Sequence, residues 1–274
     1  MRIAFQGEPG AYSEAAALMY SAHAEPMSCK TFDEVFDAVL HKKATHGIVP
    51  MENSIGGTIH RNYDLLVDHD IPITGEVELD VVHCLQALPG TKIEDITIVY
   101  SHPQALAQCE RYLKDLGVTV EAIYDTAGGA KLVAEQKMKG AAALASRRAA
   151  EVFGLEVLQE AVQDYEYNIT RFFIIGGTPA ADANKTTIVF ALPSTPGSLF
   201  KALSVFALRD INLSKLESRP IRGRPWEYLF YVDLETRRDD LVCARALSQL
   251  GEFAKWVRVL GTYKGWERAK SAQI

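Results

Sequence analysis

Apolar residues at Ile3, Ala4 and Phe5 make a short strand over 2–6, and a Gly-Glu-Pro-Gly turn leads from it into an Ala-rich helix starting near Tyr12. Phe32, Val35, Phe36, Val39 and Leu40 recur at helical spacing, which predicts an amphipathic helix. Residues 46–50 read as a short buried strand. It ends in a polar loop, Glu52-Asn53-Ser54, that runs into Gly56-Gly57 and another helix. This alternation of strand and helix predicts an α/β fold.

The stretch 71–88 breaks the rhythm. It reads as one long extended segment with Pro72 at its start and Gly75 inside it, long enough to leave one sheet and enter another. A strand over 96–100 then opens a second α/β run. Ser101-His102-Pro103-Gln104 stands where that strand turns into a helix, and Pro103 suits a first helical turn. A strand over 118–123, a helix over 126–138, a strand over 141–145 and a short helix follow, and 170–175 is a final strand.

Residues 176–184 are small, polar and rich in Gly and Pro, which predicts an interdomain linker. Beyond them the pattern predicts strand 186–192, helix 197–208, strands 211–221 and 226–234, helix 239–250 and strand 253–263. That order is βαββαβ, the ferredoxin-like arrangement. Small domains of this size often associate to cover a sheet face.

The bulk composition narrows the classes. A chain of 274 residues suits one or two domains, and 48% hydrophobic content argues for a packed core and against disorder. A net charge of −6 argues against nucleic acid or an acidic membrane as the main partner, but leaves room for a small anion in a local basic pocket. The cysteines, Cys29, Cys84, Cys109 and Cys243, form no CxxC pair, so neither a disulfide framework nor a zinc site is expected. The first residues read directly as a strand rather than as a secretory leader, and no apolar run approaches the roughly 18 residues of a membrane span. A soluble cytoplasmic protein is the expectation.

Ligands of open α/β sheets lie at the carboxyl ends of strands. Four polar clusters occupy such places: residues 7–14, 52–57, 101–108 and the surroundings of Thr170. Two lobes joined by a crossing strand would put them on either side of a cleft. Glycines admit close backbone approach and helix N-termini offer N–H groups to anions, so the implied ligand is a small polyanion. Taken singly, each residue has a plainer reading. Ser13, Asn53 and Ser101 suit helix caps, Glu52 a surface acid, His102 a turn, Thr170 an ordinary strand threonine and Arg171 a solvent-facing neighbour. The histidines show no metal-ligand spacing. There is no dinucleotide or NTP loop and no Ser-His-Asp or Cys-His motif. Residue types and spacing alone stop at a two-lobed small-ligand binder with an appended domain.

In these clusters the chain resembles prephenate dehydratases. The matching segments are GxxGAYSE over 7–14, P-x-E-N-S-x-x-G over 50–57, SHPQ over 101–104 followed by Gln108-Cys109, and N-x-T-R-F over 168–172. In the second part Glu217-Ser218-Arg219-Pro220 matches the ESRP signature of the family's ACT domain. The resemblance implies a two-lobed periplasmic-binding-protein-like catalytic domain over 1–177, a linker over 178–185 and an ACT regulatory domain over 186–274. Lobe one is then about 1–76 with 163–177 and lobe two about 77–162. It implies conversion of prephenate to phenylpyruvate, CO2 and water, without cofactor or metal.

Carried over residue by residue, the resemblance makes Thr170, Asn53, Ser101, Gln108 and Glu52 catalytic candidates, Thr170 as hydrogen-bond donor to the leaving hydroxyl and Glu52 as a proton source. Gly10, Ala11, Ser13, Ser54, Gly57, His102, Gln104, Arg171 and Phe172 become substrate-binding candidates, with Arg171 as carboxylate anchor. The ACT part implies feedback by L-phenylalanine at Gly197, Ser198, Leu199, Asn212, Leu213, Glu217, Ser218, Arg219 and Pro220. This chain has Gly-Ser-Leu-Phe where the family usually has Gly-Ala-Leu-Val. A homodimer or homotetramer is implied, and no chorismate mutase domain fits ahead of the strand at Arg2. Two rivals stand beside this reading: arogenate dehydratase, which the plant-type loop 58–64 resembles, and a non-enzymatic amino-acid sensor.

Overall fold

The computed structural model describes residues 1–221 and 223–267. They form two compact units, one of residues 1–65 and 77–173, the other of 66–76 and 174–274, with 222 and 268–274 outside the description. The last residues of the expected ACT range therefore lie outside the described residues.

In the first unit β1 (Arg2–Gln6) lies parallel to β2 (Glu25–Cys29) on one side and to β3 (His46–Asn53) on the other. Helix α1 (Tyr12–Tyr20) follows β1, and α2 (Phe32–Leu40) follows β2. Val35 and Phe36 of α2 are buried with Ile3, Phe5 and Ile48 of the strands, which is the apolar stripe read from the sequence. Strand β2 is not legible in the sequence, because EPMSC carries Pro26 and too few apolar residues; it sits at the sheet edge, where proline is tolerated.

Strand β3 does not stop at Pro50. It runs to Asn53 and pairs there with β4 (Gly57–Thr58), so Asn53 ends a strand rather than belonging to a polar loop. Helix α3 (His60–Asp68) comes next. The expected long segment 71–88 is two strands, β5 (Ile73–Asp80) and β6 (Cys84–Ala87), which lie in different sheets. The break falls at Val81-Val82-His83, where the Val81 N–H is taken by Asn168 O at 2.7 Å.

The second sheet orders its strands as β10-β6-β9-β7-β8, with β7 (Ile98–Ser101), β8 (Thr119–Ala122), β9 (Ala141–Ala145) and β10 (Glu156–Gln159). Strand β7 is parallel to β8 and β9, whereas β6 is antiparallel to β9 and β10. Around it run α4 (Pro103–Gln108), α5 (Glu110–Leu116), α6 (Thr126–Glu135) and α7 (Arg147–Phe153). Pro103 opens α4 as expected. Leu85, Val99, Cys109, Leu113 and Leu144 form the core of this lobe. Strand β11 (Ile169–Ile175) then returns beside β3 in the first sheet.

The second unit has the expected βαββαβ order. Strand β12 (Lys185–Ala191) lies between β14 (Tyr228–Leu234) and β15 (Trp256–Lys264), and β13 (Leu213–Pro220) pairs with β14, all antiparallel. Helices α8 (Ser198–Ala207) and α9 (Leu241–Phe253) bring Val205, Phe206 and Leu250 into one core with Ile188, Phe190 and Val232 of the strands. Helix α9 continues to Phe253, three residues past its expected end, which delays β15. Residues 66–76 belong to this unit too: the start of β5 runs parallel to β15, with Ile73 opposite Gly261, and Lys185 pairs with the buried Glu76 at 3.1 Å.

Candidate active site

The last residues of β3 and the first of β11 face each other across the first sheet, and Asn53 decides what happens there. Its Oδ1 accepts backbone N–H bonds from Ile55 at 3.1 Å and Gly56 at 2.7 Å. That fixes which end of the amide is which: Nδ2 must face β11. It donates to Asn168 Oδ1 at 2.7 Å, Ile169 O at 3.2 Å and Thr170 Oγ1 at 3.0 Å. The Thr170 hydroxyl thus accepts a bond from inside the protein. Its own hydrogen has no acceptor among the described residues, and Thr170 lies on the wall of a cavity of about 530 Å³.

Lobe two contributes Gln108, from the end of α4. Gln108 Nε2 donates to Asn53 Oδ1 at 3.2 Å, and Asn168 Nδ2 donates to Gln108 Oε1 at 2.9 Å. The same Oε1 meets His83 Nε2 at 2.8 Å, and His83 Nδ1 meets the Tyr12 hydroxyl at 2.9 Å. Burial holds the His83 imidazole below its ordinary pKa, only partly opposed by the Gln108 bond. Burial, then the Cys84 and Cys109 thiols, push the Tyr12 phenol well above its ordinary value. Both side chains are therefore neutral around pH 7.

The remaining walls come from loops and helix starts. Ala11, Tyr12 and Ser13 put the N-terminal turn of α1 on the cavity, and Ala11 supplies no side-chain cap, so the free N–H groups of that turn are available to an anion. Lys30 lies ahead of α2 and is the fixed cation on the wall among the described residues. His102, Gln104, Tyr124, Asp125 and Thr126 close the opposite side. Asp125 caps α6 through Gly128 N at 2.6 Å and accepts Glu8 N at 3.0 Å. Burial nevertheless leaves its carboxyl above the ordinary range. The cavity volume falls within the roughly 300–1,000 Å³ of small-molecule sites.

The structure therefore brings Thr170, Asn53, Gln108, Ala11, Ser13, His102, Gln104 and Phe172 to one cavity. Other candidates lie elsewhere. Ser101 is fully buried and donates to Leu144 O at 2.6 Å, tying β7 to β9 instead of facing a ligand. Arg171 alternates with Thr170 and Phe172 along β11 and so points to the other face, where its guanidinium lies 4.6 Å from the Phe173 ring. It is off the cavity wall, as is Glu52, which alternates with Asn53 in the same way. Ser54 is occupied in stitching its loop to β11, accepting Ile169 N at 2.9 Å. Gly10 and Gly57 have positive φ, and neither lines the cavity.

Several wall residues have no role in the sequence reading, among them His83, Tyr12, Lys30 and Asp125. His83 was an isolated histidine without metal spacing, Tyr12 stood inside a matched motif without a role, and Lys30 and Asp125 were ordinary charges. Nothing in the segment 71–88 sets His83 apart from its other polar residues, Thr74, Glu76, Glu78, Asp80 and Gln86. Among the described residues no cluster of His, Cys, Asp and Glu is placed to hold a metal ion, and no helix is long and apolar enough to cross a membrane.

In the second unit Gly197 caps α8 with φ 78°, Ser198 opens the helix and bonds Thr195 O at 2.9 Å, and Leu199 is exposed. Asn212 donates to Glu235 Oε2 at 2.7 Å, and Leu213 starts β13 against the core. Glu217 shares one face of β13 with Lys215, 3.7 Å away, and with Arg219, whereas Ser218 and Pro220 alternate to the other.

Known proteins agree with this architecture. The family described as "Prephenate dehydratase" matches residues 3–180, and the one described as "ACT domain" matches residues 186–252. An Arabidopsis thaliana protein named "Arogenate dehydratase/prephenate dehydratase 2, chloroplastic" is 49% identical over 276 residues, covering 96% of this chain and 72% of its own. A solved chain described as a novel type of quorum quenching acylase, GqqA, has a TM-score of 0.89 at 35% identity, with 97% and 98% of the two chains covered. The prephenate dehydratase of Arthrobacter aurescens, solved in complex with L-Phe, has a TM-score of 0.87 at 29% identity, with 96% and 90% covered. One expectation is overturned. The expected cytoplasmic location does not stand, because this and further Arabidopsis relatives are named chloroplastic. In sequence, in fold and in the order of its two units, the chain belongs to the prephenate dehydratase family, a dehydratase domain followed by an ACT domain.

Proposed function

We propose that the chain converts prephenate to phenylpyruvate in phenylalanine biosynthesis. The observation that carries this reading is the Thr170 hydroxyl, which accepts from Asn53 at 3.0 Å and keeps its own hydrogen for the cavity. In the reaction the ring carboxylate leaves as CO2, its bonding electrons aromatise the ring, and the C4 hydroxyl leaves and takes up one proton to become water. Charge develops on that departing oxygen. A preorganised donor aimed at it is worth about 10²–10³ in rate. Thr170 is the donor in this account, and the amides of Asn53 and Gln108 hold it.

The substrate carries two carboxylates. With Arg171 turned away, Lys30 and the open N-terminal turn of α1 are the groups placed to meet them. A second reading is arogenate, the amino-acid analogue. The Arabidopsis relative whose name carries both activities favours it equally, and Asp33 and Asp125 on the wall offer carboxylates to an ammonium group. Family membership favours either enzyme over a sensor without activity.

Feedback by L-phenylalanine at the ACT unit and assembly into a dimer or tetramer belong to the same proposal. The Arthrobacter relative solved with L-Phe supports the first. The experiment is turnover of purified prephenate and of arogenate, compared by kcat/KM, with and without L-phenylalanine, alongside sedimentation of the chain. Turnover of neither substrate overturns the reading; indifference of both rate and assembly to phenylalanine removes the regulatory part.

A further inference from the structure

The orientation of every amide around Thr170 can be deduced from one fixed point. Two backbone N–H groups pin Asn53 Oδ1, so Gln108 must present its Nε2 to that oxygen and its Oε1 to Asn168 and His83. Facing Oε1 at 2.8 Å, His83 Nε2 must carry a hydrogen. In a neutral ring Nδ1 is then an acceptor, and the single hydrogen of the Tyr12 hydroxyl is shared between Nδ1 at 2.9 Å and Val82 O at 2.8 Å. The opposite tautomer would turn Gln108 over. Its NH2 would then meet the Asn168 NH2, and its oxygen would meet Asn53 Oδ1. His83 is 2% exposed, Gln108 6% and Asn168 2%, so little water can replace a lost partner.

We propose that His83, held in its Nε2–H tautomer by the pinned Gln108 amide, is a positioning residue for the dehydration. It fixes the Gln108 amide, and Gln108 fixes Asn53 against Thr170. This rests on the dehydratase reading above. The links between His83 and Thr170 are amides, which carry orientation and not protons, so His83 acts through Gln108 and is not the acid. Tyr12 and Asn53 belong to lobe one and His83 and Gln108 to lobe two, so the same bonds also hold the lobes together at the cavity. A buried histidine that merely satisfies its neighbours would show the same contacts, and kinetics separates the two cases.

Nitrogen-15 NMR of the full chain reads the ring directly, whatever its activity. The expected result is a neutral His83 protonated at Nε2 in the wild type and, because the pinned Gln108 amide still faces Nε2, in Tyr12→Phe. His83→Leu should lower kcat about 10–100-fold, the effect of leaving one buried acceptor unsatisfied, with KM within about twofold. His83→Gln, whose amide can donate to Gln108, should recover most of that loss. A wild-type ring protonated at Nδ1 overturns the proposal, as does unchanged kcat in His83→Leu or a His83→Gln as slow as His83→Leu. If His83→Leu does not fold, the wild-type tautomer and the His83→Gln rate decide. A chain that turns over neither substrate refutes the dehydratase reading, while the tautomer remains measurable.

Discussion

Asn53 on β3 and Thr170 on β11 are 117 positions apart, and the Asn53 amide donates to the Thr170 hydroxyl oxygen at 3.0 Å. The direction of that bond matters more than its length. A donor on the Asn53 side leaves the threonine hydrogen for the cavity; an acceptor there would capture it. Asn53→Asp makes that exchange with almost no change of shape. The variant should lose about 10²–10³ in kcat, as expected for removing one transition-state donor, with KM little changed. Steady-state kinetics on prephenate, with circular dichroism to confirm the fold, checks it. An Asn53→Asp enzyme within tenfold of wild type would show that the threonine hydrogen is not what Asn53 controls.

The turn before α1 is held across the lobes. Gly10 has φ 89°, and a Cβ there would lie 2.6 Å from the Ala149 Cα, a backbone atom that cannot swing aside. Ser146 Oγ also donates to Gly10 O at 2.6 Å. Gly10→Ala combines left-handed strain with overpacking and should lower stability by roughly 2–4 kcal/mol. Urea unfolding measures it. A loss below about 1 kcal/mol would mean that the lobes part readily at this point.

Glu14 makes the same turn sensitive to acid. Burial pushes its carboxyl up, but hydrogen bonds from Arg148 at 2.8 Å and Gly10 N at 2.7 Å, with the Arg148 charge, outweigh burial and hold it below the ordinary range. A carboxyl lowered on folding stabilises above its unfolded pKa and ceases to do so as pH falls through the folded one. Arg148 is 38% exposed, so solvent screens part of the pairing. Glu14→Gln should cost about 1.5–3 kcal/mol at pH 7, and the gap to wild type should close as pH falls through the carboxylate range. Unfolding curves across that range test the sign: a gap that widens in acid contradicts it.

These sites were legible in the sequence to different depths. Strand β1, helix α2 and the βαββαβ order of the second unit follow from periodicity, because each buries one face. The edge strands β2 and β10 do not, since EPMSC and EVLQ have too little apolar pattern to stand out. The motifs located Asn53, Gln108 and Thr170. They could not tell that Arg171 faces away, because nothing in Thr-Arg-Phe says which side of β11 meets the cavity. His83 was hidden for a related reason. Its partners, Tyr12 and Gln108, are 71 and 25 positions distant, and only the break between β5 and β6 turns its ring towards them. Ser101 shows the reverse error: its place after a strand suggested a ligand contact, and burial gave it to Leu144.

The hydrogen that Thr170 keeps for the cavity is tested most directly by isosteric replacement. Thr170→Val keeps the β-branched shape on β11 and removes the hydroxyl, whereas Thr170→Ser keeps the hydroxyl and removes a methyl group. The measurement is kcat for phenylpyruvate formation in both variants, with folding confirmed by unfolding midpoint. Thr170→Val should lose about 10²–10³ in kcat and Thr170→Ser no more than about tenfold. A Thr170→Val enzyme that turns over prephenate at close to the wild-type rate would contradict this role for the threonine hydroxyl.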